Sequence, residues 1–285
     1  MMRRRNFLGV AGFSLLCAPA LIRAGRAQSA PGTLLSAPLD LIGEWGGSPP
    51  LAAARVIARM REASLSGVKL LSDQQPDRLR VENHTSGPPA IWLHADPPKT
   101  AWIIVDIGPL DWCKLAYQFG HELGHVLSNS WVPAANPVPP SRWIEEALVE
   151  AFSIRGLGLL AASWEENPPF ANDAPFAKSI RDYRANLIEK YWKASWQAAS
   201  GDIASGFRAN RSALEHSDWG SAVLTMLAEE ERDGTCVEDL GALNRWPARS
   251  AVPVEEYLAL WQASCAELGA SGHLPVRLRS LLQLG

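Results

Sequence analysis

His121-Glu122-Leu123-Gly124-His125 reads H-E-x-x-H, inside a segment whose pattern predicts a helix. On a helix, residues four apart stand one above the other on the same face. Two imidazoles arranged that way reach a single metal ion. Glu122 then lies at the edge of the site, where a metal-bound water would sit. The spacing is that of a zinc hydrolase, with two neutral nitrogen ligands and a carboxylate base beside them.

A catalytic zinc needs a third protein ligand and a position left for water. The stretch Ser141-Arg142-Trp143-Ile144-Glu145-Glu146-Ala147-Leu148-Val149-Glu150 offers one. It is a helix arriving after a proline-rich loop, so it can turn back antiparallel to the first. Helical phase separates its three acids. Glu145 shares a face with Leu148, Val149 and Phe152, whereas Glu146 shares one with Glu150 and Ser153. A buried stripe of two acids is costly unless a cation or a donor answers it. Zinc and the second N–H of a ligand imidazole would answer both. Glu146 is therefore the expected third ligand, and Glu150 the acceptor that orients a histidine.

The pair H-E-L-G-H and W-I-E-E-A-L-V-E resembles the gluzincin metallopeptidases, the thermolysin-like clan, whose second helix carries W-L-N-E-G-x-A-E. Trp143 falls on the tryptophan, Glu146 on the ligand glutamate and Glu150 on the acid four residues on. Glu145 replaces the common asparagine, and Ala147 the common glycine. The resemblance covers residues 102–152, under a fifth of the chain. It implies peptide hydrolysis by a zinc-bound water, with Glu122 as general base and a peptide or protein as substrate. It also implies a sheet whose edge strand pairs with extended substrate, for which residues 102–107 are the candidate. Clan members take their oxyanion donor, a tyrosine or histidine, from the C-terminal helices. The usual tyrosine is missing here. His216, just before Asp218-Trp219-Gly220, is a candidate for the donor, and Tyr183 and Tyr191 remain open beside it.

Around the motif the chain changes texture. Residues 49–66 predict a helix opened by proline. Residues 69–71, 79–82, 91–95 and 102–107 look like strands, separated by Gly87-Pro88-Pro89 and Asp96-Pro97-Pro98. From Asp111, a good N-cap, helices dominate. They are expected at 111–128, 141–156, 175–199, 218–232, 253–268 and 275–282. The expected fold is α+β and zincin-like: a small, twisted, mainly antiparallel sheet on the H-E-x-x-H helix, followed by a mostly helical lobe. The expected division is residues 31–130 for the first lobe and 131–285 for the helical lobe that carries the third ligand.

Residues 1–30 stand apart. Arg3-Arg4-Arg5-Asn6-Phe7-Leu8 precedes an uncharged run from Gly9 to Ile22 that is too short to span a bilayer comfortably, and small residues follow. This predicts an export signal cleaved after Ala27 or Ala30. The R-R-x-F-L order resembles a twin-arginine signal, implying a bacterial periplasmic or secreted protein. The whole chain carries a net charge of −3. Residues 1–30 hold five arginines and no acid, so the remainder carries −8. That balance gives no footprint for nucleic acid or anionic lipid. No further stretch reads as a membrane span, and no motif fixes an oligomeric state.

Of the cysteines after the signal, Cys236 and Cys265 are the plausible disulfide pair, with three free thiols as the alternative. His84, His94 and His273 lack partner spacing. Trp192 and Trp196, four apart on a helix, read as core packing. Glu165-Glu166 and Glu229-Glu230-Glu231 read as solvated helix faces. Two other functional classes stay open: a catalytically silent zinc-binding protein of the same fold, and a structural protein carrying the motif by chance.

Overall fold

A computed structural model of the protein describes residues 33–284, apart from 70, 85–86, 133, 135–140, 198–203, 205–219 and 247–251. The expected signal, His216 and most of the proline-rich loop lie outside the described residues. The elements in chain order are α1 (Thr33–Ser36), β1 (Leu39–Gly43), α2 (Pro50–Leu65), β2 (Arg78–Asn83), β3 (Ala90–Ile91) and β4 (Thr100–Val105). There follow α3 (Trp112–Leu127), α4 (Arg142–Glu166), α5 (Phe176–Gln197) and α6 (Gly220–Arg232). A 3-10 helix (Gly234–Ala242), α7 (Val254–Leu268) and α8 (His273–Leu281) complete the chain.

The protein is α+β, mostly helical, with one four-stranded sheet in the order β1-β2-β4-β3. The sheet is mixed, which corrects the mainly antiparallel expectation. β1 and β4 both pair parallel to β2, and only β3 runs antiparallel, on β4. The physical reason lies in the connections. A parallel pair needs a long crossover. The helix α2 supplies it between β1 and β2, and residues 84–99, which include β3, carry the chain from the end of β2 back to the start of β4. Local sequence does not mark β1, whose pairing with β2 depends on the crossover rather than on a pattern within its five residues. The expected strand at 69–71 is not formed at Lys69 or Leu71. Residues 91–95 give a strand only at their start, because β3 ends at Ile91.

Leu79, Val81, Ala101, Ile103 and Val105 alternate into the core with no exposed surface, the period of two that a pleated strand imposes. On this side α3 packs against β4 and α2 against β1. The opposite face is covered by polar groups. Arg80 pairs with Asp40 and lies 4.8 Å over the Trp102 ring, while Trp102 Nε1 donates to Glu82 Oε2 at 3.0 Å. Residues from Leu34 to Leu282 join a single hydrophobic cluster.

α4 sits at the centre, packed against α2, α3, α5 and α6. The sequence pattern predicted its end near Gly156, but it continues ten residues further to Glu166. Gly156 and Gly158 are packing positions, not stops: a side chain at Gly156 would collide with Ser64 and Met60, and one at Gly158 would meet Arg184. By length and composition α4 could cross a membrane, contrary to the expectation that no later segment could. Yet 72% of its apolar window is buried inside the protein, as a core helix requires.

Three further expectations are corrected. Cys113, Cys236 and Cys265 are all free thiols. Burial raises all three, Cys113 to about 11 and Cys236 to about 12. Trp192 is 56% exposed, so its side chain is not core. Glu229 and Glu230 are buried. Glu229 is matched by Arg232, Arg277 and His273; Glu230 has no such partner among the described residues.

Candidate metal centre

The site is built where α3 and α4 cross. Asp111 caps α3, its carboxylate accepting from the Lys114 backbone N–H at 3.3 Å. The apolar face of α3 buries Leu115, Phe119, Leu123 and Val126. The crossing is close because α3 presents Gly120 and Gly124 to its neighbour. A Cβ built on Gly124 would stand 2.8 Å from Val149 Cβ, and one on Gly120 would strike Met60 and Ser153. Contacts that short are forbidden, so only glycine lets the two backbones approach this far. The glycine of H-E-L-G-H is thus what brings the second helix within reach of the histidines.

The helices run antiparallel, so His121 faces Glu150 and His125 faces Glu145, with Glu146 between them. Glu146 Oε2 lies 3.6 Å from His121 Nε2 and 3.6 Å from His125 Nε2. The three residues form a group whose ligand atoms all lie within 4.8 Å of one another, able to hold a metal ion. Bonds of ~2.0–2.1 Å in a tetrahedron put donor atoms roughly 3.3–3.5 Å apart, so the observed separations fit a single small divalent cation. The ring nitrogens left over are also answered. His121 Nδ1 is 2.8 Å from Glu150 Oε2, and His125 Nδ1 is 2.7 Å from Glu145 Oε1. Each imidazole is therefore held with Nδ1 toward a carboxylate and Nε2 toward the ligand position, the arrangement that fixes tautomer and ring plane.

Glu145 is the site residue that sequence reading missed. Its face carries Leu148 and Val149, so helical phase alone gives it no role at the site. It is 1% exposed. The signal was available: a carboxylate on an apolar face must find a donor, and two ligand histidines need two orienting acceptors. Besides His125, Glu145 accepts from Asn244 Nδ2 at 2.7 Å. Glu150 accepts from two phenols, Tyr117 and Tyr191, each at 2.7 Å.

That contact bears on the oxyanion donor. The Tyr191 hydroxyl is directed at Glu150. Tyr183 packs its ring on Tyr117 and does not line the cleft. Around the metal group lies a cleft of about 250 Å3, walled by Pro89, Ala90, Ile91 and Leu93 on one side and by Ser130 and Arg142 beside the acids. Arg142 Nε reaches Glu146 Oε1 at 3.3 Å. The wall residues also correct the expected edge strand. β4 is flanked on both sides, by β2 and β3, so among the described residues β3 is the edge strand beside the cleft.

Burial dominates Glu122, 3% exposed, and raises its carboxyl above the ordinary value. Burial also works against charged imidazoles, but the carboxylates outweigh it. Hydrogen bonds to Glu146 and Glu150 lift His121 to about 10, and Glu145 and Glu146 lift His125 well above its usual value. Glu146 is correspondingly depressed by the two histidines despite its burial. Four carboxyl groups converge on two imidazoles, a surplus of negative charge suited to a divalent cation. Of the remaining histidines, His84 is exposed, His94 lies edge-on to Trp102 and His273 sits by Glu229.

Compared with protein-family models, curated proteins and solved structures, the chain matches none.

Proposed function

We propose that this chain is an exported zinc metallopeptidase that hydrolyses peptide bonds with Glu122 as general base. The observation that carries the reading is the position of Glu146 Oε2, equidistant from two Nε2 atoms whose rings are each turned by a separate buried carboxylate. Isolated Glu–His contacts on a protein surface do not come with two orienting acids in the interior.

His121, His125 and Glu146 would hold the ion. When bound, zinc would lower the pKa of a water toward neutrality and polarise the scissile carbonyl. Glu122 takes the proton from the attacking water. Its burial raises its basicity toward the working pH, which suits a general base. It then carries that proton to the departing amine. The edge strand β3 offers backbone N–H and C=O groups to an extended peptide. Arg142, about half exposed at the cleft, is a donor for a substrate carbonyl.

The alternative, a catalytically silent zinc-binding protein, is favoured by one observation: the Tyr191 hydroxyl, a candidate oxyanion donor, is engaged by Glu150. Zinc stoichiometry measured together with peptide hydrolysis separates the readings. The proposal expects one zinc per chain, turnover lost in Glu122→Gln with zinc retained, and zinc lost in Glu146→Ala. Metal without turnover in the wild type selects the silent protein. No metal after repletion removes both. The export half of the proposal rests on residues 1–30, and periplasmic fractionation of the full chain tests it.

A further inference from the structure

The two ligand histidines are supported by different parts of the chain. Glu150, behind His121, is held by Tyr117 of α3 and Tyr191 of α5. Glu145, behind His125, is held by Asn244, which follows the 3-10 helix in sequence, more than a hundred residues from the motif. Asn244 is completely buried, and its φ of 58° is a left-handed conformation that asparagine tolerates better than most residues. Its Nδ2 has three acceptors within reach: Ser128 O at 3.2 Å, Ser130 Oγ at 3.1 Å and Glu145 Oε2 at 2.7 Å. An amide has only two hydrogens to give, and the shortest contact goes to the carboxylate, as expected of a charge-assisted bond. On the other end, Oδ1 accepts from the Tyr257 hydroxyl at 2.8 Å. Tyr257, in the first turn of α7, is also completely buried.

We infer that Asn244 and Tyr257 are positioning residues for the metal centre, acting on His125 through Glu145. The phenol fixes which end of the amide faces the carboxylate, because a reversed amide would set Oδ1 against Glu145 Oε2. The amide in turn pins Oε2, so that Oε1 stays on His125 Nδ1 and directs Nε2 at the ion. The turn that carries Asn244 is itself anchored to the end of the metal helix. Asn129 Nδ2 donates to Gly241 O and Leu243 O, and its Oδ1 accepts from Ser72. A C-terminal segment that supplies none of the three proposed ligands therefore sets how well His125 binds.

This inference rests on the metal-site reading and is tested apart from it. Zinc affinity of the full chain is measured by chelator competition, and ligand geometry by the visible spectrum of the cobalt(II)-substituted protein. The expected result is a loss of about tenfold or more in affinity for Asn244→Ala, with an altered cobalt spectrum. Tyr257→Phe should show a smaller loss in the same direction, and it carries the test if Asn244→Ala does not fold. In a Glu145→Ala background, adding Asn244→Ala should change affinity no further. Unchanged affinity and spectrum in both single variants would overturn the inference, even if the metal-stripped protein melted earlier. So would an undiminished effect in the Glu145→Ala background. A wild type that binds no zinc would overturn the metal-site reading and this inference with it.

Discussion

His121 Nδ1 meets Glu150 Oε2 at 2.8 Å, and the other oxygen of that same carboxylate receives two phenol hydroxyls, from Tyr117 and Tyr191. A buried carboxylate held by three donors has little freedom to swing. His121 would therefore be presented to an ion in one orientation before that ion arrives. Preorganisation of this kind shows in affinity, because it spares the metal the entropy of ordering its ligand.

The first prediction follows from that contact. Glu150→Gln leaves all three proposed ligands in place but replaces a charged acceptor with a neutral amide. Zinc affinity should fall about 10- to 100-fold, the usual effect of losing an orienting carboxylate. Chelator competition measures it. An unchanged dissociation constant would show that Glu150 is only a structural buried acid.

The second concerns Glu122, the proposed base. Glu122 lies in the cleft wall with the two histidines and is not among the three proposed ligands. Glu122→Gln should bind zinc as the wild type does and lose turnover by about 10²–10⁴-fold or more, the range a positioned general base contributes. Zinc content by elemental analysis and initial rates on a peptide substrate check the two halves. A variant that kept its rate would remove Glu122 from the chemistry.

How far the site could be read in the chain depends on what each residue needs. His121, His125 and Glu146 are tied by helical period, and period is a property of local sequence. The length of α4 was misjudged because Gly156 means a stop only if nothing packs on it, and what packs there is Met60, ninety-six residues earlier. β1 was invisible because its pairing with β2 depends on a crossover, not on alternation within its five residues. Glu145 was overlooked because its partners, His125 and Asn244, lie on two distant segments. In each case the missing information was long-range contact.

The third prediction tests the crossing of α3 and α4. Gly124→Ala would place a methyl carbon 2.8 Å from Val149 Cβ. Because the contact is with Val149 Cβ, no rotamer change relieves it and the helices must move apart, at a cost of about 1–3 kcal/mol. Separation of the helices also draws Glu146 away from the histidines. Both the melting temperature and the zinc affinity should fall. Substituting Val149→Gly in the same chain should restore part of the zinc affinity, since it removes the Cβ and Cγ1 atoms in collision. A Gly124→Ala protein as stable and as tight-binding as the wild type would contradict the packing described here.

The fourth concerns Glu230, on α6 and fully buried, with neither carboxyl oxygen hydrogen-bonded among the described residues. Burial raises its pKa well above 4.5; Arg155 opposes the rise without cancelling it, and Glu231 adds to it. A carboxyl whose folded pKa exceeds its unfolded value binds its proton more tightly in the native state. Its favourable contribution is complete below about pH 4.5 and is lost as pH rises through the folded value. Glu230→Gln removes the titration while keeping the shape. The variant and the wild type should therefore differ least in stability near pH 4.5. The difference should grow in favour of the glutamine as pH rises from about 4.5 toward 8. Denaturant unfolding of the metal-stripped proteins at several pH values measures this without interference from zinc. A difference independent of pH would mean that Glu230 titrates as an ordinary carboxylate, which burial without a hydrogen-bond partner should not allow.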